Sequence, residues 1–236
     1  MVSSESLETE ASSHQVFAVD LHVGGAFHTD VDTFLESLIN WSIQQYGLDE
    51  CIKAKEEFYR TTGKVFYDDA IYHSRMHYFL EYFLFERTLE RSVGEVFGPT
   101  PFEVYLQSQP SSIIGGFTHS LFKVLKIHGQ SMHLKDLFSD EKIRIQKREE
   151  ELFKGISKND VFQGFIFHLE NRSVLSRGLI FHSHRTHRFL TKLIKDEKSR
   201  GIWQPNHLLA RLARLQLKQT RLKHVDPKIV YNEPHS

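Results

Sequence analysis

SLFKVLKI at residues 120–127 is the first of four short segments patterned as β-strands. The others are KIRIQ at 142–146, FQGFIFHL at 162–169 and SVLSRGLIF at 173–181. Gly, Ser, Asn and Asp separate these segments, and no interval holds a helix long enough to connect parallel neighbours. Residues 111–184 are therefore predicted to form a small antiparallel β-domain, either an open sheet or a barrel.

Helical periodicity occurs on both sides of this domain, with apolar residues three and four apart and cap or stop residues at the ends. The predicted helices are Thr29 to Tyr46, Leu48 to Thr62, Asp68 to Arg87, a short helix opened by Thr100 and Pro101 and running through Leu106, Thr186 to Lys198, and Asn206 to His224. The chain is thus expected to be α+β. It divides into a disordered tail (1–13), a helical region (14–110), the β-domain (111–184) and a basic helical tail packed on the rest (185–236).

Charge is sorted along the chain although its formal net charge is +0. The first 103 residues hold 18 Asp/Glu and 7 Lys/Arg, whereas Arg185 to Lys228 holds 12 Lys/Arg and 3 Asp/Glu. Such an asymmetry bears on binding partners rather than on the fold. No apolar run approaches the roughly 20 residues of a membrane-spanning helix, and the acidic, Ser-rich N-terminus resembles no targeting peptide, so a cytoplasmic protein is expected. Cys51, the single cysteine, excludes an internal disulfide and a multi-cysteine zinc site.

The last predicted helix carries a basic stripe beside a leucine stripe. Arg211, Arg214, Lys218 and Arg221 make up the first stripe, and Leu208, Leu212, Leu215 and Leu222 the second. The leucines are expected to dock on the protein, and the cations either point into water or bind an anionic partner. That partner is a nucleic acid, an acidic protein, an anionic membrane surface or the acidic N-terminal half itself. Arg185 and Arg188 are predicted to belong to the same anion- or partner-binding surface.

Two groups of histidines are the candidates for metal or ligand chemistry. Asp69, His73, His77 and Glu81 follow one another at steps of four, which places them on one helical face. Two histidines at this spacing can bind one metal ion, but no second segment supplies further ligands, so His73 and His77 are only a minor metal hypothesis. His182, His184 and His187 lie in HSHRTHR, whose arginines oppose a dication and favour an anion.

Arg144 and Arg148 form an R-x-x-x-R pair, which is followed by NRSVLSRG at 171–178. The combination resembles the motifs of a domain that binds a cyclic dinucleotide. Gly178 comes one residue later than that family's second motif requires. The resemblance implies Arg144 and Arg148 as alternative ligand-binding residues.

A second resemblance covers roughly residues 67–194. HYFLEYFLFER at 77–87, the Thr100-Pro101 helix start, the strand SLFKV at 120–124 and the turn at Asp136 and Leu137 are similar to uncharacterised bacterial proteins. The resemblance implies a helical region joined to a small β-domain, and no known activity. Some members carry a cysteine-rich zinc motif, whose cysteines this sequence lacks.

No segment reaches the specificity of a catalytic motif. Gly115 and Gly116 are not followed by the Lys-Ser/Thr of a phosphate loop, and GGFTHS lacks the spacing of a nucleophile elbow. The sequence therefore indicates a non-catalytic binding or adaptor protein without a cofactor. The alternatives are a nucleic-acid or ribosome-associated protein that uses the basic C-terminal helix, and a cyclic-dinucleotide or metal-binding protein. Protein partners and self-association also stay open.

Overall fold

The computed structural model describes residues 30–89, 98–109, 112–146, 153–201 and 203–232. Helices precede and follow a central six-stranded mixed sheet, so the prediction of an α+β fold is confirmed. The predicted tail at 1–13 and Arg148 lie outside the described residues.

Four helices come before the sheet: α1 (Asp30–Tyr46), α2 (Leu48–Thr62), α3 (Tyr72–Phe85) and α4 (Pro101–Ser108). Gly63 ends α2 with φ of 89°, a conformation that glycine adopts without strain. A capping box begins α4, in which Thr100 Oγ1 accepts from the Glu103 amide and the Glu103 carboxylate accepts from the Thr100 amide. The end of α2 at Gly63 and the start of α4 at Thr100 thus lie where the cap residues predict them.

The long aromatic helix is shorter than predicted at both ends. At its start, the Asp69 carboxylate accepts a hydrogen bond of 2.8 Å from the Phe66 amide, which holds residues 66–69 in a turn. The predicted i, i+4 row therefore loses Asp69. At its end, the Arg87 side chain turns back to α2, where its Nε and Nη1 atoms lie 2.7 Å from Glu57 and 2.8 Å from Glu50.

The sheet consists of β1 (Gly116–His128), β2 (Ser131–Asp136), β3 (Lys142–Gln146), β4 (Val161–Leu169), β5 (Arg172–Leu175) and β6 (Ile180–His182). Five of these strands close a ring in the order β1-β2-β3-β5-β4-β1, and β6 pairs with the first residues of β4. All pairings are antiparallel except that of β3 with β5, which is parallel at Ile145 and Ser173. The β-domain is thus a small barrel with one parallel pair.

The predicted strand SVLSRGLIF is divided into β5 and β6. Between them, the Arg177 side chain forms a bidentate ion pair with Asp32 of α1, at 3.2 and 3.0 Å. The Gly178 amide donates to the Glu81 carboxyl group of α3 at 3.4 Å. These contacts hold Arg177 and Gly178 against the N-terminal helices.

A 3₁₀ turn (His184–Thr186) follows the barrel, then α5 (His187–Ser199), α6 (Pro205–Arg221) and a short α7 (Pro227–Tyr231) that the sequence pattern did not predict. Helix α6 ends three residues earlier than predicted, and Leu222 lies beyond it and is exposed. No helix in the described part of the chain is long and apolar enough to span a membrane.

Helix α6 joins the two parts of the molecule. Leu208 and Leu212, from its first half, are buried with Leu121 and Val161 of the barrel. Ala213 and Leu217, from its second half, are buried in the core of the N-terminal helices. Burial on both sides fixes α6, and with it the basic stripe, against the rest of the protein.

Candidate functional site

Strands β1, β2 and β3 carry two rows of basic side chains on the outside of the barrel. Cross-strand register pairs Lys123 with Lys135 and Lys135 with Lys142, and likewise Lys126 with His133 and His133 with Arg144. Neighbouring strands lie about 4.8 Å apart, so each row brings three such groups together. We call the six residues the basic barrel face: Lys123, Lys126, His133, Lys135, Lys142 and Arg144.

A β-bulge assembles this face. The register with β2 shifts between Val124 and Lys126, so that Leu125 is the extra residue of β1. Without the bulge, Lys123 and Lys126 would point to opposite sides of the strand, because side chains alternate with a period of two. With it, Val124 is buried in the barrel and Lys126 stands on the same side as Lys123.

Electrostatic repulsion within the face is only partly neutralised. The Lys135 ammonium lies 2.6 Å from Asp140, in the turn between β2 and β3. Within the described ranges, Lys126, Lys142 and Arg144 have no carboxylate at ion-pair distance, and all three are exposed. The pKa of His133 lies below its usual value because of desolvation and of the positive charges at Lys126 and Arg144, with His128 adding to them. Like charges directly opposite each other destabilise a sheet, so this surface costs stability.

The sequence identified one member of this face, Arg144. Its predicted partner Arg148 lies outside the described residues. The other five residues were missed because they are dispersed over 20 positions and converge only through strand pairing. The local signals were the alternation of basic with apolar residues in KIRIQ and in MHLK at 132–135.

The basic stripe of α6 is directed mainly at the protein itself. Arg211 forms an ion pair with Glu197 of α5 at 3.4 Å, and Arg214 donates to the Arg60 carbonyl at the end of α2 at 2.5 Å. Arg221 donates to the Asp69 carboxylate and to the Lys64 carbonyl, both at 2.8 Å. Lys218 lies half-buried between them. The predicted surface for an external anion is thus largely engaged with the N-terminal helices and α5.

The three histidines of HSHRTHR do not converge. His182 is buried in the core, whereas His184 is exposed and its Nε2 atom lies 3.0 Å from the Asp160 carboxylate. His187 is half-buried beside His184, and Arg185 and Arg188 are exposed. Among the described residues, no group of three or more His, Cys, Asp or Glu side chains can hold a metal ion.

His182 belongs to a hydrogen-bonded chain through the core. Its Nε2 atom lies 3.1 Å from Gln163 Oε1, and its Nδ1 atom lies 2.8 Å from the Tyr231 hydroxyl group. Gln163 Nε2 donates to the Tyr78 hydroxyl at 2.8 Å, which in turn lies 2.8 Å from His119 Nε2. Burial lowers the pKa of His182 to about 3. A neutral His182 imidazole that donates from Nε2 and accepts at Nδ1 satisfies both of its hydrogen bonds. The hydrogen-bonded series thus connects α3, the barrel and α7.

His77 and Glu81 line a cavity between α1, α3 and the segment that follows β5. Its polar wall includes Asp32, Glu36, His77, Glu81 and Arg177. The cavity measures about 20 Å³, which is room for one water molecule. Desolvation lowers the pKa of His77 to about 4, and the positive charge of Arg177 acts in the same direction. Of the predicted row, these two residues alone meet at one site, since His73 packs against Tyr72 and Tyr67.

Glu81 is a strongly perturbed carboxyl group in the wall of this cavity. Its side chain is 3% exposed, and desolvation raises its pKa to about 8 although hydrogen bonds from Gly178 and Arg177 oppose the shift. The Ser176 hydroxyl lies beside it, yet neither Ser176 Oγ nor Glu81 Oε2 makes a hydrogen bond of ordinary geometry. Glu81 is therefore a buried carboxylic acid that stays protonated at neutral pH.

Cys51 is buried, and desolvation together with the negative charge of Glu50 raises its pKa to about 11. A thiol in this state is a poor nucleophile.

The chain matches no protein-family model, and it has no significant match among curated proteins or solved structures.

Proposed function

We propose that this protein binds single-stranded nucleic acid non-catalytically through the basic barrel face. The observation that carries the proposal is the register of β1, β2 and β3, which gathers six basic groups in two rows. Within the described ranges, the carboxylate at ion-pair distance from them is that of Asp140. Repulsion among these groups is relieved when phosphates approach them. A surface of this kind is typical of sites that track a polyanionic backbone.

The architecture of the barrel supports the same function. A five-stranded Greek-key barrel is the framework of the oligonucleotide- and oligosaccharide-binding fold, whose ligands lie across its second and third strands. Here β2 and β3 carry His133, Lys135, Lys142 and Arg144. One fold can host several functions, so the topology alone does not identify the ligand. The charged side chains on β2 and β3 are what favour a polyanion as the ligand.

The composition of the face argues against a membrane surface as its ligand. The third row of the same strands holds His128, Ser131 and Gln146, so within the described ranges the three rows offer no aliphatic side chain for insertion into the headgroup region. Imidazole rings at His128 and His133 can instead stack on bases, and Arg144 can bind phosphate with two donors. The face thus suits a flexible single strand.

Removal of three charges from the face tests this function. We expect Lys126→Gln/Lys142→Gln/Arg144→Gln to weaken binding of a fluorescent twelve-residue oligothymidylate at least about tenfold at low salt. The slope of log affinity against log salt should become shallower by about 2, because each lost phosphate contact on a single strand contributes roughly 0.7. Fluorescence anisotropy between 25 and 300 mM KCl measures both quantities.

The matched control is Arg185→Gln/Arg188→Gln/Lys192→Gln, which removes the same charge from exposed positions of the 3₁₀ turn and α5. It should retain at least half of the affinity. Equal losses in the two variants would show a nonspecific effect of net charge. Greater loss in the control would locate the ligand at the turn, and absence of binding at 25 mM KCl would refute the function.

Binding should also depend on pH through His133. Phosphates that approach the face offset the positive charges at Lys126, His128, Lys135 and Arg144, so the pKa of His133 should rise on binding. Affinity for oligothymidylate should then increase several-fold as the pH falls from 7.5 to 5.5. NMR titration of the His133 imidazole, with and without oligonucleotide, measures this directly, and His133→Gln should flatten the change in affinity. If the pKa of His133 is the same with and without oligonucleotide, phosphate does not contact the row formed by Lys126, His133 and Arg144.

A further inference from the structure

The loop between α2 and α3 exposes two adjacent aromatic side chains. Phe66 is 51% exposed and Tyr67 is 80% exposed, although Val65 beside them is buried. Exposed aromatic residues next to each other are unusual on a protein surface and mark sites of contact. The loop borders the C-terminal end of α6 and lies on elements distinct from the barrel.

The aromatic loop is held in place from both sides. Asp69 accepts from the Phe66 amide, and Arg221 of α6 donates to Asp69 and to the Lys64 carbonyl. The same guanidinium group lies 5.2 Å from the centre of the Phe66 ring. A loop fixed by these contacts presents its aromatic rings without the entropy loss that ordering a mobile loop would cost.

The loop also combines rings with positive charge. The Tyr67 ring lies 5.3 Å from Tyr72 and 6.3 Å from His73, so one side of it is supported and the rest faces solvent. The Lys64 ammonium lies 5.6 Å from the centre of the Phe66 ring, is exposed, and has no ion-pair partner in the described part of the chain. Exposed rings with cations nearby are how proteins hold unpaired bases and their phosphates.

We infer that Tyr67 is the stacking platform for an unpaired base of a single-stranded nucleic acid, whose adjoining phosphate is bound by Lys64. The inference rests on the proposed function and adds a base contact on a second surface to the contacts of the barrel face. Lys64, beside the Phe66 ring, supplies the positive charge that selects this occupant, since Arg221 is paired with Asp69. Stacking on any base tolerates sequence variation, so the contact distinguishes single strands from duplexes rather than one sequence from another.

An abasic strand separates the two contacts. The probes are oligothymidylate of twelve residues and a strand of the same length and charge built from abasic units. Wild-type protein should prefer oligothymidylate about tenfold, in keeping with the free energy of stacking one base. Tyr67→Ala should reduce the preference several-fold, to what the imidazole rings of the barrel face supply, and leave the affinity for the abasic strand and the salt slope unchanged. Tyr67→Phe keeps the ring and should keep the preference.

Each outcome has a distinct meaning. If Tyr67→Ala prefers oligothymidylate as strongly as the wild type does, the stacking platform is refuted while the barrel-face function stands. If neither strand binds at 25 mM KCl, the proposed function and the inference fail together. If sedimentation shows dimers of the wild type, monomers of Tyr67→Ala and no change in base preference, the loop is a contact between copies of the chain, which also overturns the inference.

Discussion

Replacement of Gly178 by alanine is expected to destabilise the folded protein by about 3 kcal/mol. A Cβ atom at this position would lie 2.5 Å from the Tyr78 amide nitrogen and 2.6 Å from the Tyr78 Cα atom, and would also collide with the Glu81 carboxyl group. The Tyr78 atoms belong to the backbone of α3 and cannot move aside as a flexible side chain would. The segment that follows β5 must therefore retreat from the helix.

The retreat would break more than one interaction. The Gly178 amide would lose its hydrogen bond to Glu81, and the ion pair of Arg177 with Asp32 would be displaced. The segment thus ties the barrel to α1 and α3, and its loss should lower the midpoint of thermal unfolding by roughly 6 to 12 °C in a chain of this size.

Urea and thermal unfolding followed by circular dichroism measure the effect. Gly116→Ala is the matched control, because a Cβ atom at Gly116 would meet nothing within 4 Å. That variant should unfold within about 0.5 kcal/mol of the wild type. Equal stability of the Gly178→Ala and Gly116→Ala variants would show that the close approach to Tyr78 is not present in solution.

Local chemistry allowed much of the fold to be predicted. The capping pair of Thr100 and Glu103 and the stop at Gly63 set helix ends that agree with the sequence patterns. Errors arose where a distant partner competes with the local pattern. The predicted aromatic helix begins late, because Asp69 forms an ion pair with Arg221 in the turn before it. The predicted strand at 173–181 is interrupted, because Arg177 forms an ion pair with Asp32.

The candidate sites depended on information that the sequence does not display locally. The basic barrel face requires a bulge at Leu125 and the pairing of three strands, none of which follows from the spacing of lysines. The base platform at Tyr67 depends on Arg221, which lies more than 150 positions later in the chain. Periodicity along the chain detects faces of single elements, whereas both of these surfaces are built from several elements.

Contacts of the basic C-terminal helix with the N-terminal helices explain part of the uneven distribution of charge along the chain. Arg221 reaches Asp69 of the acidic half, so part of the basic tail neutralises the protein's own N-terminal region. Exposed ion pairs of this kind contribute little stability singly. The cations without internal partners in the described ranges, such as Lys126, Lys142 and Arg144, belong instead to the barrel between the two halves.

Glu81→Gln is expected to stabilise the protein at neutral and alkaline pH while having little effect near pH 4.5. Glu81 has a pKa of about 8 in the folded state and of 4.5 as an unperturbed group, so folding takes up a proton between these pH values. The stability of the wild type therefore falls as the pH rises through this window. The difference between the two pKa values corresponds to roughly 5 kcal/mol above pH 8 and roughly 3 kcal/mol at pH 7.

The glutamine keeps the acceptor for the Gly178 amide and has the shape of the protonated acid, but it cannot ionise. Urea unfolding of both proteins at pH 4.5, 6, 7 and 8.5 gives the difference in free energy at each pH, in which contributions from His77, Asp32 and other shared groups largely cancel. Glu56→Gln, on the exposed side of α2, controls for the loss of one carboxylate from the net charge. A difference that stays constant from pH 4.5 to 8.5 would mean that Glu81 ionises in the folded protein as it does in water, and that the cavity between α1 and α3 is open to solvent.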